Sequence, residues 1–562
     1  MTLLPIRSNR HTSRYFLWLG MILCVCMLVL LSACSSASSD SAADQHTQHQ
    51  QPSPAASSTA SQTDTTSGHR MSHGDMSSMA APEGSSSTTP DQVTTDPQIV
   101  NGKEVTLTAQ ASNLEVEKGK YVPVWTFNNS VPGPQIQVTE GDTVTVHLKN
   151  KLDVPVTIHF HGVVLPNAMD GVPGVTQDAV QPGKTFTYTF QALHAGTYWY
   201  HSHQDSLNQI GRGLYGTFVV HPKKTQTDDL DRTFVLAEWN DPHTHPADTA
   251  ENTTALNSNM GAYNLYTING RSGNRIDPLY VNTGQQVRLR FVNAGNMTHL
   301  LYLPLSSYQI VSTDGEDIYK PQKLSNGLLR IAPGERYDLV FTAIDQGITT
   351  IGAVGDSDFA RSMRLPVVVS AQGQKPNVQQ VNEEVSRQQQ HLTTTDVSGW
   401  QVLDLMTYGQ PSASTFTLNQ NYDRQYDLKL SMGVSNGKMA YTINDEAYAD
   451  LKALTVRTGD TVKITLSAPS GNEDHPMHLH GHVFQVLSRN GKTATGSPVW
   501  KDTLNVRPGE TYEIAVRANN PGNWMLHCHE LHHASMGMMI DFNYEDFQSP
   551  YQPDQSIDNI SE

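Results

Sequence analysis

Residues 522–539 read GNWMLHCHELHHASMGMM and hold the only cysteine beyond position 34. Five of its side chains form a candidate metal-binding set of one thiol, three imidazoles and one thioether: Cys528, His527, His529, His533 and Met538. This is the ligand set of a blue-copper electron-transfer centre. Neighbouring side chains on a strand point to opposite faces, so Cys528 would point one way and its two flanking histidines the other. The segment therefore predicts a copper at Cys528 with further metals a short covalent path away.

Composition favours β structure over helices. The chain has 562 residues, of which 16% are charged, with 40 glycines and 30 prolines, and Val and Thr recur in short alternating runs. This length accommodates about three domains. The net charge of -17 argues against nucleic acid as a partner and is compatible with metal-ion substrates, although simple solubility explains it equally well.

The N-terminus predicts export and anchoring. Residues 1–33 have a basic start and an apolar run, and they end in Leu-Ser-Ala before Cys34, which is typical of a signal peptide. The sequence Leu-Ser-Ala-Cys resembles the lipobox of bacterial lipoproteins, in which the cysteine becomes the lipidated first residue. We expect an extracytoplasmic protein attached to the membrane at Cys34, with an uncleaved membrane anchor as the alternative. Cys24 and Cys26 lie in the leader, so the folded part has one thiol and no internal disulfide.

Residues 34–98 are rich in Ser, Thr, Ala, Gln and Pro, which predicts a disordered tether. The run HRMSHGDMSSM at 69–79 combines imidazole and thioether donors that suit copper ions. A solvated linker with incidental donors is the alternative interpretation.

A repeat organises the rest of the chain. A strand-opening pattern occurs at 140–144 and 458–462 and, more faintly, at 283–287. A Pro-Gly pair precedes an alternating strand three times, and a glycine follows each proline fourteen residues later: Pro182 and Gly196, Pro333 and Gly347, Pro508 and Gly522. Pro-Gly supplies the turn and the alternating run supplies a half-buried strand. We predict three β-sandwich domains at 99–222, 223–390 and 391–548, with a Gln-rich linker at 379–390 and a C-terminal tail at 549–562.

The residues after the repeat glycines separate the three copies by chemistry. The first copy continues as GTYWYHSH and the third as GNWMLHCH, whereas the second, GITTIGAV, has no metal donor. The middle domain is therefore expected to be a spacer or a wall. Two further His-rich segments, HFHG at 159–162 and HPMHLHG at 475–481, lie in the first and third copies. Paired His-x-His segments from both ends of the chain suit metals held between two facing elements.

With these four segments the chain resembles the multicopper oxidases, which include laccases and bacterial copper-resistance oxidases. The resemblance implies an all-β fold of three cupredoxin-like Greek-key β-sandwich domains in tandem and four copper ions, one type 1, one type 2 and two type 3. It implies that type 1 copper is held by His475, Cys528 and His533 with Met538 as axial ligand. It implies His159 and His478 at type 2 copper. It implies the following ligands for the type 3 pair: His161, His201, His203, His480, His527 and His529.

The resemblance also implies a catalytic carboxylate. Asp170 matches a family position for an acid near the copper cluster, with a turn residue before Gly171 as the alternative. Many bacterial relatives have Glu after the histidine matched by His533, but this chain has Ala534. Glu530 or Asp474 are the candidates to replace that acid.

The expected activity couples one-electron oxidations, passed on through Cys528 with His527 and His529, to four-electron reduction of O2 to water. The reductant is either a phenol or Cu(I). The Met/His-rich tether and the acidic charge favour the metal ion, whereas the apparently open type 1 region favours organic substrates. Mn(II) or Fe(II) oxidation, and a copper-sequestering lipoprotein with incidental oxidase activity, are the alternatives.

Overall fold

The structure is a computed structural model that describes residues 93–562 except 96–97, 225–227, 240–262, 356, 373, 375, 390–396 and 470. The predicted signal peptide (1–33), the lipidation site Cys34 and nearly all of the predicted tether (34–98) lie outside the described residues. Within the described part, every helix is too short or too polar to span a membrane.

The first sandwich consists of two sheets with strand orders β1-β4-β9-β8-β6 and β3-β2-β5-β7. Its strands are β1 (Ile99–Asn101), β2 (Glu104–Glu117), β3 (Lys120–Phe127), β4 (Gly133–Thr139), β5 (Thr143–Asn150), β6 (His159–His161), β7 (Thr185–Gln191), β8 (Gly196–His201) and β9 (Tyr215–His221). A 3-10 turn (Asn167–Met169) and helix α1 (Ser206–Gly211) lie in its loops.

The middle sandwich has the strand orders β11-β10-β13-β18-β15-β16 and β12-β20-β19-β14-β17. Its strands are β10 (Leu230–Trp239), β11 (Leu265–Ile268), β12 (Leu279–Asn282), β13 (Gln286–Asn293), β14 (His299–Leu303), β15 (Gln309–Thr313), β16 (Glu316–Asp317), β17 (Gly327–Ile331), β18 (Arg336–Thr342), β19 (Gly347–Ala353) and β20 (Arg364–Ser370). It also has a 3-10 turn (Gly273–Arg275) and helices α2 (Asp358–Ser362) and α3 (Val378–Gln389).

The third sandwich has the strand orders β22-β21-β24-β30-β26-β27, with β28 beside β26, and β23-β32-β31-β25-β29. Its strands are β21 (Arg424–Ser435), β22 (Lys438–Ile443), β23 (Leu454–Val456), β24 (Thr461–Ser467), β25 (His475–Leu479), β26 (Phe484–Arg489), β27 (Lys492–Thr493), β28 (Val499–Lys501), β29 (Thr503–Val506), β30 (Thr511–Arg517), β31 (Asn523–Cys528) and β32 (Met539–Tyr544). A 3-10 turn (Tyr448–Asp450) and helix α4 (Leu531–Ser535) complete it.

The predicted repeat is visible in the strand pairing. The strands that follow the Pro-Gly turns, β7, β18 and β30, pair antiparallel with β5, β13 and β24, which the other repeated pattern opens. In each sandwich that second strand also pairs in parallel with an earlier strand, as β2–β5, β10–β13 and β21–β24. Alternating burial along β24 shows one face towards the core and one towards solvent. The all-β prediction is therefore confirmed, with three similar sandwiches.

The Gln-rich stretch predicted as a linker forms a helix over the residues described there. Helix α3 presents valines at a helical spacing, and Val381 and Val385 are buried against Val368 of the middle sandwich. The abundant glutamines hid this apolar stripe, so the sequence did not predict a helix packed on the middle sandwich here, and the role of the stretch as a linker stays a prediction.

The first and third sandwiches share one core. Their buried apolar side chains form one continuous cluster, whereas the middle sandwich has a cluster of its own. A smaller apolar group joins Val172 of the first sandwich to Met525, Ala534 and Met539 of the third. This packing holds the histidine-bearing strands of the two sandwiches against each other.

Candidate metal centre

A pocket for one metal lies inside the third sandwich. Nδ1 of His533 lies 3.2 Å from Nδ1 of His475 and 3.5 Å from Sγ of Cys528. Strand β25 starts at His475, β31 ends at Cys528, and the pairing of Met477 with Cys528 sets their register. The Cys528 N–H donates to the Met538 carbonyl at 3.0 Å, which keeps the backbone of this methionine beside Cys528. The structure thus brings together the two histidines and the cysteine predicted for type 1 copper.

The electrostatics of this pocket suit a metal. Burial lowers the pKa of His475 to about 3, and nearby His533 adds to the effect, so the imidazole is neutral and has a lone pair to offer. Burial and the charge of Glu530 raise the pKa of the Cys528 thiol well above its usual value. A bound cation reverses that effect because it stabilises the thiolate.

Two histidine triads lie between the first and third sandwiches. Their members have ring nitrogens within 4.8 Å of one another: His161, His201 and His529 in one, and His203, His480 and His527 in the other. Strand pairing assembles the first sandwich's share, since β6 and β8 pair with His159 opposite His201. It assembles the third sandwich's share through β25 and β31, with His478 opposite His527. Cys528 belongs to the separate pocket described above, so the predicted division of its two flanking histidines from the thiol is observed.

His159 and His478 meet beside these triads. Each has ligand nitrogens near those of His161 in a further group of three. The rings of His161 and His478 are stacked, with centroids 3.7 Å apart. All four of the predicted His-rich segments therefore converge at one place, and none of the donor groups among the described residues includes a side chain of the middle sandwich.

Asp170 lies against the histidine cluster, which consists of the two triads together with His159 and His478. Its Oδ2 is 2.9 Å from Nδ1 of His480, and its carbonyl oxygen is 2.8 Å from Nδ1 of His159. The turn after it requires glycine, because Gly171 has φ +80° and a Cβ there would lie 1.8 Å from the Ile158 carbonyl oxygen. Asp170 is therefore both a turn residue and a cluster residue.

The acid missing at Ala534 has a packing explanation. Ala534 is fully buried in the apolar group with Val172 and Met525, where a carboxylate would be unpaired. Neither suggested replacement lies at the triads. Glu530 caps helix α4 and accepts from the His533 N–H at 3.0 Å, and Asp474 accepts from Asn505 at 2.8 Å.

Two other carboxylates lie at the histidines instead. Asp502 Oδ1 is 3.2 Å from Nε2 of His161, and Asp502 is fully buried. Burial opposes its ionisation, but the charge and hydrogen bonds of Arg336 hold the pKa of Asp502 well below its usual value. The sequence around Asp502 contains no metal-binding motif, so only the fold reveals this contact.

Glu562 is the second carboxylate. Its Oε1 lies 2.9 Å from Nε2 of His203 and 3.5 Å from Nδ1 of His527. The predicted tail reaches this point because the Asp205 N–H donates to the Ile560 carbonyl and Asn559 donates to Asp178, both at 3.0 Å. A polar, aperiodic tail gave no sign of this placement.

The donors of the Cys528 pocket, of the two triads and of the His159–His478 pair fit copper. Imidazoles and a thiolate are the ligands that copper prefers among protein side chains. Several buried ring nitrogens have no hydrogen-bond partner among the described residues: His159 Nε2, His161 Nδ1, His201 Nε2, His478 Nε2 and His529 Nε2. Buried polar atoms are normally paired, so these nitrogens are placed to bind metal.

Family models described as multicopper oxidase match three parts of the chain, residues 108–225, 231–353 and 411–548. The multicopper oxidase MmcO of Mycobacterium tuberculosis is 30% identical over 469 residues, which cover 78% of this chain and 86% of the relative. A copper resistance protein A homolog of Pseudomonas syringae pv. tomato is 26% identical, with coverage of 80% and 94%. Laccase-1 of Botryotinia fuckeliana is 30% identical, with coverage of 78% and 81%.

Solved structures agree. A multi-copper oxidase from Pseudomonas thermotolerans has 27% identity and a TM-score of 0.60, and covers 80% of this chain and 100% of its own. Fet3p, a multicopper oxidase that functions in iron import, has 23% identity and a TM-score of 0.63, covers 81% of this chain and 93% of its own, and supports the fold alone.

Fold and site together define a copper-dependent oxidoreductase built from cupredoxin-like domains. The chain belongs to the multicopper oxidase family. It is an oxidoreductase that uses O2 as the electron acceptor.

Proposed function

We propose that the chain binds four copper ions at the sites predicted from its sequence, with one at each triad. His475, Cys528 and His533, with Met538 nearby, would hold type 1 copper, and His159 with His478 would hold type 2 copper. Bound copper supplies one-electron transfer from the reductant and four-electron reduction of O2. The observation that carries the proposal is the covalent link between Cys528, in one donor group, and His527 and His529, which belong to the two triads.

Copper content and spectra test this proposal. We expect four coppers per chain, a blue absorption band, and a type 2 EPR signal. Cys528→Ser should lose the band and substrate oxidation but keep the other coppers, because its hydroxyl is a poor copper ligand and the triads are unchanged. Full turnover by this variant would disprove the type 1 assignment.

We propose that the reductant is Cu(I). Tyr441 stacks on the type 1 histidine His533, with ring centroids 3.9 Å apart. In the β21–β22 hairpin Met432 pairs with Tyr441, and Met439 pairs with Val434, so these four side chains share a face. Met432 and Met439 are 59% and 54% exposed, and thioethers are ligands that select Cu(I). The hairpin therefore presents two soft donors on the face that carries Tyr441, whose ring stacks on a proposed type 1 ligand.

The reaction balances as four Cu(I) plus O2 plus four protons giving four Cu(II) plus two waters.

A nearby carboxylate favours a cationic substrate, because Glu473 is 41% exposed and its Oε2 lies 3.4 Å from Nε2 of His533. The Tyr441 hydroxyl donates to the same oxygen at 2.8 Å, which holds the carboxylate there.

A phenol is the second candidate, since Val434 on the same face is 64% exposed and offers an apolar contact. The double variant Met432→Leu, Met439→Leu keeps the apolar surface and removes both thioethers. We expect its KM for Cu(I) to rise while its KM for a methoxyphenol stays the same. The matched control Val434→Ser should do the reverse. An unchanged KM for Cu(I) in the double variant would reject this Cu(I) site.

We also propose an extracytoplasmic location with a lipid anchor at Cys34, supported by the lipobox-like sequence Leu-Ser-Ala-Cys. Metabolic labelling with palmitate should mark the protein that has Cys34 and should not mark a Cys34→Ser variant. Labelling of both, or of neither, would reject the anchor.

A further inference from the structure

Arg336 connects all three sandwiches although it binds no metal itself. It is fully buried at the start of β18 in the middle sandwich. Its Nε donates to the Thr197 carbonyl of the first sandwich at 3.0 Å. Its Nη1 and Nη2 donate to the two carboxylate oxygens of Asp502 in the third, at 2.7 and 2.6 Å. This two-point pair fixes the carboxylate in position and in rotation.

Asp502 in turn contacts two cluster histidines. Its Oδ1 lies 3.2 Å from Nε2 of His161 and 3.5 Å from Nδ1 of His478, and its carbonyl oxygen lies 2.9 Å from the same nitrogen of His478. The Thr503 hydroxyl donates to Asp502 Oδ1 at 2.8 Å and lies 2.9 Å from the same nitrogen of His161. These contacts engage one nitrogen of each ring and leave the other, His161 Nδ1 and His478 Nε2, without a partner among the described residues. Asp502 therefore determines which nitrogen each ring turns towards the cluster.

The backbone of the middle sandwich approaches the same histidines. Gly334 has φ +83°, and a Cβ there would lie 3.0 Å from Cε1 of His161 and 3.1 Å from Cγ of His529. Its carbonyl accepts from Nη1 of Arg336 at 3.1 Å. The Pro-Gly turn of the middle sandwich thus lies against the histidine cluster, although this turn supplies no ligand to it.

We propose that Arg336 is a positioning residue for the copper cluster, which it acts on through Asp502 by fixing the rings of His161 and His478. The middle sandwich then has a defined part in O2 reduction and is more than a spacer. This inference rests on the copper ligands assigned in the proposed function.

The test is Arg336→Lys in the full chain, because lysine keeps the charge but cannot form the two-point pair. We expect an unchanged blue band and KM for the reductant, an altered type 2 EPR hyperfine coupling or loss of that copper, and a kcat lower by about 10- to 100-fold. The matched control is Arg290→Lys. Arg290 is 2% exposed and pairs with Asp231 and Asp338, and it also donates to Thr197, at 2.7 Å.

A normal type 2 signal and kcat in Arg336→Lys would overturn the proposal, as would equal changes in both arginine variants. If Arg336→Lys does not fold, Arg336→Gln combined with Asp502→Asn replaces it, since two amides can pair without leaving a buried charge. That variant should recover more of the type 2 signal than Asp502→Asn alone, and equal signals would also overturn the proposal. If the unmodified protein lacks type 1 and type 2 signals, the copper assignment itself has failed.

Discussion

Oδ2 of Asp170 lies 2.9 Å from Nδ1 of His480, so a carboxylate of the first sandwich orients a histidine of the third. Asp170→Asn removes the charge that stabilises this ring's N–H. We expect O2 reduction to slow by about 10- to 100-fold, as for other outer-shell partners of metal ligands. Bleaching of the blue band by reductant without oxygen should be unchanged, since the type 1 pocket is separate. Asp153→Asn, an exposed acid of the same sandwich, is the control. Slower bleaching would contradict this role.

Removing copper should destabilise the fold. The unpartnered buried nitrogens of the cluster histidines are satisfied only when metal is bound, and a ligand that binds the native state alone raises its stability. We expect the Tm in scanning calorimetry to fall by several degrees after chelation and to recover when copper is restored. Equal Tm values before and after chelation would show that the pocket is rigid without metal.

Glu316 should make stability depend on pH. Burial, followed by the charges of Asp502, Asp317 and Asp314, raises the pKa of Glu316 to about 7. The folded state therefore holds this proton more tightly than the unfolded state. The resulting stabilisation is complete below about pH 4.5 and is lost as pH rises through 7. Glu316→Gln should raise the unfolding free energy at pH 8 by at most about 3 kcal/mol and change it little at pH 4.5.

Urea unfolding at both pH values measures this difference, with Asp427→Asn as the control because Asp427 is an exposed acid of the third sandwich. A gain that is equal at the two pH values would mean that folding does not change the pKa of Glu316.

Glu562 should protect bound copper. Its carboxylate is buried against His203, so Glu562→Ala would open a cavity beside that triad. We expect a severalfold faster loss of copper to EDTA with little change in Tm. The exposed tail residue Asp554, changed to alanine, is the matched control. Equal rates in the unmodified protein and Glu562→Ala would show that the tail does not limit access.

The sequence predicted the β repeat and the grouping of the histidines because both depend on local spacing. Alternation put Cys528 on one face and His527 with His529 on the other, and the fold preserves that division. Asp170 was also found, although through resemblance and not through spacing. The β repeat and the division of Cys528 from its two flanking histidines need only short-range geometry.

Contacts that depend on how sandwiches pack could not be predicted in this way. Arg336 and Asp502 are 166 residues apart, and no local sequence pattern around either residue predicts that the two side chains pair. Glu562 belongs to a tail without periodicity, so its burial follows only from its route over the first sandwich. The prediction that the middle domain is a spacer or a wall considered ligands alone, so it did not include the approach of Gly334 to His161 and His529.

Each triad takes its histidines from both ends of the chain, with His161 and His201 on one side and His529 on the other. During synthesis on a ribosome, the early histidines emerge long before their partner exists. A polypeptide released before residue 527 would contain only part of each triad. A full complement of bound copper therefore requires translation beyond Met538, so copper content distinguishes such chains from chains that end earlier.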